Sequence, residues 1–194
     1  MEKKKQRKLI IMQSLAAMLE ERDLIKITTA ELAKRSEITE AAIYKHFPSK
    51  RKIFEELVVF FEESIFSRIK VMKEESKPED FPGQLIALIL KFCETNKGFS
   101  RILTREVFTA DEAKIIDKVS NSFEKISIEI RQSLQDYERT TKRKLNLNLA
   151  SSCDLLLSCL EGQIQSFVRS KFKKDLSGSW DDQWNFLKKA IFSN

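Results

Sequence analysis

Apolar side chains recur at three- and four-residue steps along most of the chain, the period that lines one face of an α-helix. Leu9, Met12, Leu15, Ala16 and Leu19 predict a first helix from about Lys5 to Arg22. In Thr28-Thr29-Ala30-Glu31, Thr28 and Glu31 have the spacing of a capping box, each side chain satisfying a free amide at a helix start. They open a second helix that ends near Arg35. Ser36-Glu37-Ile38 is a tight connection to Thr39, a good N-cap for a third helix over Glu40 to Phe47, which Pro48 stops. Ser49 caps a long fourth helix in which Phe54, Leu57, Val58, Phe61, Ile65, Ile69 and Met72 form one stripe.

The clearest break is Ser76-Lys77-Pro78-Glu79-Asp80-Phe81-Pro82-Gly83. Beyond it the pattern predicts a helix from about Pro82 to Thr95, closed by Asn96-Lys97-Gly98 as a glycine-type stop. A short helix over Ser100–Phe108 follows, and a second capping box, Thr109 to Glu112, opens a long helix to about Tyr137. The polar stretch Arg139–Lys144 reads as a loop. Leu147 to Phe172 is the most apolar helix, Ser177-Gly178-Ser179 breaks the chain again, and Trp180–Phe192 forms the last helix. The expected fold is all-α with about nine helices: a three-helix module over residues 1–52 and a helical body over residues 53–194.

Composition supports this. Of 194 residues, 42% are hydrophobic and 33% charged, with only four glycines and three prolines, too few breakers for a linker protein or a turn-rich all-β fold. The charge is uneven. Residues Met1 to Lys52 hold 13 basic and 7 acidic side chains, whereas the remainder holds 22 of each, so the whole excess of +6 sits in the first quarter. A basic module that binds a polyanion, joined to a neutral body, is the implied arrangement. Lys3, Lys4, Lys5, Arg7 and Lys8 before Leu9–Leu19 imitate a secretory signal. Gln13 and Ser14 interrupt that stretch, however, and Glu20-Glu21-Arg22-Asp23 stand where small residues would be needed, so a core-facing helix is the better reading. No run approaches the ~20 apolar residues that span a bilayer, and no membrane partner is expected. Cys93, Cys153 and Cys159 fall in apolar helical segments and read as buried free thiols in a reducing interior, hence a cytoplasmic protein.

Three short helices, the last two joined by a three-residue turn, are the pattern of a helix-turn-helix, whose third helix enters the DNA major groove. Thr39 opens that helix. Ala41 and Ala42 permit close approach, and the Ala41 methyl suits a thymine methyl. Tyr44, Lys45 and His46 offer donors to phosphates and base edges, Lys50 places a cation at the next helix start, and Thr28 and Thr29 can donate to phosphate oxygens. Ile27, Leu32, Ile38, Ile43 and Phe47 read as the module's core, and Tyr44 could belong partly to it. The Lys3–Lys8 cluster is either a DNA arm or a solubilising tail.

The stretches Ile27-Thr28-Thr29-Ala30-Glu31-Leu32-Ala33 and Ile43-Tyr44-Lys45-His46-Phe47-Pro48-Ser49-Lys50 resemble the TetR family of DNA-binding dimers, in which glycine usually stands where this chain has Glu37. Further matches, Asn96-Lys97-Gly98-Phe99-Ser100-Arg101-Ile102-Leu103-Thr104 and Phe167-Val168-Arg169-Ser170-Lys171-Phe172-Lys173 among them, look like the nucleoid occlusion branch of that family, and Arg139–Asn148 departs from it. The resemblance implies a TetR-like fold and a nucleoid-associated homodimer on palindromic sites of double-stranded DNA. It also implies a contact with the tubulin-like division GTPase (FtsZ) whose ring assembly it antagonises. Phe60 and Arg68 match the partner surface of the fourth helix. Val59, Phe60 and Phe66 fall off the main stripe there, as a partner surface or a second buried side would require. For dimerisation the resemblance implies the last two long helices, with Leu156, Leu160, Gly162, Ile164, Phe167 and Trp184 as candidates. An ordinary core helix is the competing reading.

The chain does not read as an enzyme. Its one histidine, His46, lies in the DNA motif, the cysteines lack metal-ligand spacing, and there is no glycine-rich phosphate loop, so neither metal nor cofactor is expected. The alternative function is a ligand-responsive repressor of the same family, whose body would enclose a small-molecule effector, with some of the 14 phenylalanines as lining.

Overall fold

A computed structural model of the chain describes residues 2–21 and 27–193, with the side chains of residues 2–4 and 110 excepted. Arg22, expected to end the first helix, and the side chains of Lys3 and Lys4 lie outside the described residues. Among those described there are nine α-helices and no β-strand: α1 Glu2–Glu21, α2 Thr29–Arg35, α3 Glu40–His46, α4 Lys50–Glu75, α5 Phe81–Thr95, α6 Lys97–Leu103, α7 Ala113–Thr141, α8 Leu149–Arg169 and α9 Trp180–Ile191. A 3-10 turn, Ala110–Glu112, precedes α7.

The helix starts follow the capping chemistry. Thr28 Oγ1 accepts from the Glu31 amide at 3.2 Å while Glu31 accepts from the Thr28 amide at 3.3 Å. Thr39, Ser49 and Asn148 cap α3, α4 and α8 through their side chains, and Pro82 sits in the first turn of α5, where its missing N–H costs no hydrogen bond.

Three expectations are corrected. Gly98 does not stop a helix; it lies inside α6, buried, and no glycine has a positive φ. The stop is made by Asn96, whose side chain donates to the Phe92 carbonyl at 2.9 Å. What Gly98 supplies is room, since a Cβ there would overlap the Ala16 carbonyl of α1. The second correction is that α7 continues through Arg139 to Thr141 before Lys142 turns it off with φ 59°. Third, the helix expected over Ser100–Phe108 spans Lys97–Leu103, ahead of Arg105 at φ 64°.

α1, α2 and α3 form the amino-terminal module, with Ile11, Leu15, Leu32, Ile43 and Phe47 buried at its centre. α4 crosses the expected boundary at residue 52, beginning under that module and ending beside α5 and α7. Its stripe, from Phe54 to Ile69, is buried. In the body, α5 is the central helix, surrounded by α4, α6, α7, α8 and α9, and the interior is filled by Leu85, Ile89, Ile126, Ile130, Leu156 and Leu160. Among the described residues no helix is long and apolar enough to cross a membrane.

Candidate nucleic-acid interface and partner face

The turn between α2 and α3 closes with the Ile38 amide donating to the Ala33 carbonyl at 3.0 Å and that of Glu37 to Lys34 at 3.3 Å. Glu37 takes φ 54°, the left-handed region, at a cost of about 1 kcal/mol relative to glycine. The turn therefore keeps its sharp geometry without a glycine. α3 then presents Ala41, Tyr44 and Lys45 to solvent, with Tyr44 49% exposed. Tyr44 is thus not a core residue, and its hydroxyl lies 3.5 Å from Thr29 Oγ1, joining the starts of the two helices. Leu32, Ile43 and Phe47 are buried, and Ile27 and Ile38 pack against them.

Other candidates already have structural duties. The Thr28 hydroxyl both accepts from the Glu31 amide and faces its carboxylate at 3.3 Å, so Thr28 is a cap before it is a phosphate donor. Thr39 Oγ1 accepts from the Ala42 amide at 3.2 Å and keeps its own proton to give. Lys50 is not a free cation, because its Nζ donates to the Ile27 carbonyl at 2.9 Å and braces the segment leading into α2. His46 is half-buried. Lys8 Nζ lies 5.2 Å from the Phe47 ring centre, which folds part of the basic cluster onto the module. Arg35 and Glu21 form a two-pronged pair at 2.5 and 2.6 Å that ties α2 to α1. Neither pairing was legible in the periodicity.

On α4, Phe60 is 38% exposed with its ring 5.9 Å from Phe99 of α6, and Arg68 is exposed two turns further on. Glu63, Ser64 and Ser67 lie between them in one shallow depression. Phe60 also borders a groove of about 240 Å³ of mixed polar and apolar lining between α1, α4 and α6, which reaches Leu9, Met12 and Thr95. Phe66, by contrast, is half-buried and packs against the core.

The dimerisation candidates divide. Leu156, Leu160, Ile164 and Phe167 are all buried within the protomer, where α8 meets α5, α6 and α7, so their assignment to a contact with a second copy is corrected: they build the core. Trp184 is half-buried against the core, occupying the space a Gly83 side chain would need and stacking on Trp180. Gly162 remains exposed, with nothing within 4 Å of where its Cβ would be. Leu155 and Phe186, 38% and 75% exposed, were missed. Helical geometry puts Leu155, Cys159, Gly162 and Ser166 on one outer face of α8, on the side where Gln163 meets Gln183 of α9 at 2.6 Å. The missed signal was an apolar residue on the polar side of an amphipathic helix.

Burial pushes the Cys93 thiol up to about 12, which keeps it protonated and unreactive. Residues 11–57 match the family model for bacterial regulatory proteins of the tetR family, and residues 83–191 match the SlmA-like model of the tetracyclin repressor-like C-terminal domain. The chain belongs to the SlmA-like branch of the TetR family. Among its TetR-family relatives, the nucleoid occlusion factor SlmA of Shewanella baltica is 38% identical over 185 residues, 95% of this chain and 94% of the relative. That of Marinomonas sp. is 35% identical over 193 residues, 99% and 98% of the two chains. The fold is shared with the transcriptional regulator FadR from Bacillus subtilis, solved with stearoyl-CoA, at TM-score 0.73 and 14% identity over 95% of this chain and 99% of that one. TetR-family regulators bind DNA and act as dimers, and no enzyme family is indicated.

Proposed function

We propose that the chain is a nucleoid occlusion factor: a homodimer that binds palindromic chromosomal DNA through α3 and antagonises polymer assembly by the tubulin-like division GTPase (FtsZ) through α4. Similarity to SlmA proteins over nearly the whole chain supports the reading. The observation that carries it is the exposed Phe60–Arg68 face on the helix whose first turn closes the DNA-binding module. A partner held there lies next to bound DNA, so one chain joins the chromosome to the division machinery. Palindromic half-sites call for two-fold symmetry, which the outer face of α8 and α9 around Gly162 and Phe186 would provide. Ala41, Tyr44 and Thr39 read the groove, and Thr28, Thr29, Lys45, His46 and Lys50 hold the reader in register against the backbone. Such a protein is cytoplasmic and nucleoid-associated.

The ligand-responsive alternative is less well supported, since apolar side chains fill the body between α5, α7 and α8. The test is Phe60→Ala combined with Arg68→Asp. The variant keeps specific DNA binding and no longer disperses GTPase polymers in a sedimentation assay; simultaneous loss of both activities would mean that α4 had merely been destabilised.

A further inference from the structure

The end of α7, the loop after it and α9, with Glu79 from the loop after α4, line an open cleft of about 440 Å³. Its position is set by a zipper between the loop and the carboxyl-terminal segment. Leu145 forms an antiparallel bridge with Phe192, and the Asn146 amide donates to the Ile191 carbonyl at 2.8 Å. The Asn146 side chain reaches the Ala190 and Phe192 carbonyls at 3.3 Å, and Ser193 Oγ donates to the Lys144 carbonyl at 2.7 Å. Tyr137, on the cleft floor, donates to the Ser193 carbonyl at 2.8 Å. Lys142-Arg143-Lys144 is thereby fastened beside Lys188-Lys189.

Two of these cations are neutralised: Lys188 by Asp80, and Lys144 by Glu138 at 3.7 Å. Arg143 and Lys189 line the cleft, are exposed, and have no ion pair among the described residues. Asn185 adds an amide to the same wall, and Glu79 is the one carboxylate among the lining residues. Of the carbonyls that close α7 and α9, those of Tyr137, Glu138, Ala190 and Ile191 already have partners in Thr141, Lys142 and Asn146. An arginine, a lysine and an asparagine lining one concavity of this size offer the donors that suit a phosphoryl group.

We propose that this cleft binds a small phosphorylated anion, a phosphomonoester or pyrophosphate group, held by Arg143 and Lys189 with Asn185 as a neutral donor. The site is separate from the DNA reader, and the proposal does not depend on the partner assigned to α4. The test is calorimetric titration of the full-length protein with sodium pyrophosphate at fixed ionic strength. Binding is saturable, and Arg143→Gln with Lys189→Gln weakens it about tenfold or more while leaving the thermal midpoint and DNA affinity unchanged. Lys45→Ala, in the reader, binds pyrophosphate as the unaltered protein does. Absence of saturable binding, equal binding by the double variant, or loss of binding in Lys45→Ala would overturn the proposal. So would capture on anionic phospholipid vesicles with no response to free pyrophosphate.

Discussion

Gly98 of α6 lies directly against the Ala16 carbonyl of α1, so the DNA-binding module and the body meet backbone to backbone. A second tie, Lys97 to Glu20 at 3.1 Å, sits beside that contact. Gly98→Ala must push α1 away from α6, since backbone cannot swing aside as a side chain can. The expected cost is about 1–3 kcal/mol, read as a lower denaturation midpoint, together with weaker DNA binding because the reader tilts. An Ala variant with wild-type stability would show that the two helices separate freely.

Lys45 is exposed on α3, whereas Lys50 is engaged with the Ile27 carbonyl. Lys45→Ala therefore flattens the salt dependence of DNA binding by about one unit per protomer with no change in fold stability. Lys50→Ala lowers both DNA affinity and the stability of the module, by about 1 kcal/mol. Salt titrations paired with thermal unfolding separate the two.

Phe186→Glu on the outer face of α9 should yield a 22.6 kDa species in sedimentation equilibrium at micromolar concentration, where the unaltered chain is a dimer. Leu160→Ala, a core change, instead costs about 2–5 kcal/mol of stability. A seam on this outer face of α8 covers Cys159, so its reaction with a thiol reagent is expected to accelerate on dilution; a rate independent of concentration would place the interface elsewhere.

Glu94 is held well below the usual carboxylate range, at about 2, first by the Ser177 hydroxyl at 2.6 Å and then by Lys91, with the Leu176 and Ser177 amides adding to it. A carboxyl with a depressed folded-state pKa stabilises the fold above its unfolded value, and that contribution disappears as pH falls from about 4.5 towards 2. The side chain is 24% exposed, so solvent screening leaves about 1–2 kcal/mol. Glu94→Gln loses this at neutral pH and shows a shallower decline of stability over that acid range.

Caps and stripes made most of the fold legible: Thr28 with Glu31, Thr39 and Ser49 announce three helices whose starts are where local hydrogen bonding puts them. Gly98 misled because its role is long-range, set by a helix 82 residues earlier in the chain at Ala16. The same limit hid the engagement of Lys50 and the packing of Trp184 against Gly83. An apolar helix such as α8 announces burial without saying against what, so Leu156 and Leu160 were equally compatible with the chain's own core and with a second copy. The exposed Phe186 could have been found as the aromatic that breaks the polar side of α9.

The continuity of α4 has a mechanical corollary. Its 26 residues, at ~1.5 Å each, make a rod of about 39 Å whose first turn braces the reader and whose last turn meets α7, where Lys73 donates to Gln132. Pivoting by about five degrees at one tip displaces the other by about 3 Å, more than an ion pair can stretch. A tilt imposed at the reader's end of so long a helix would arrive at the opposite pole as ångström-scale travel.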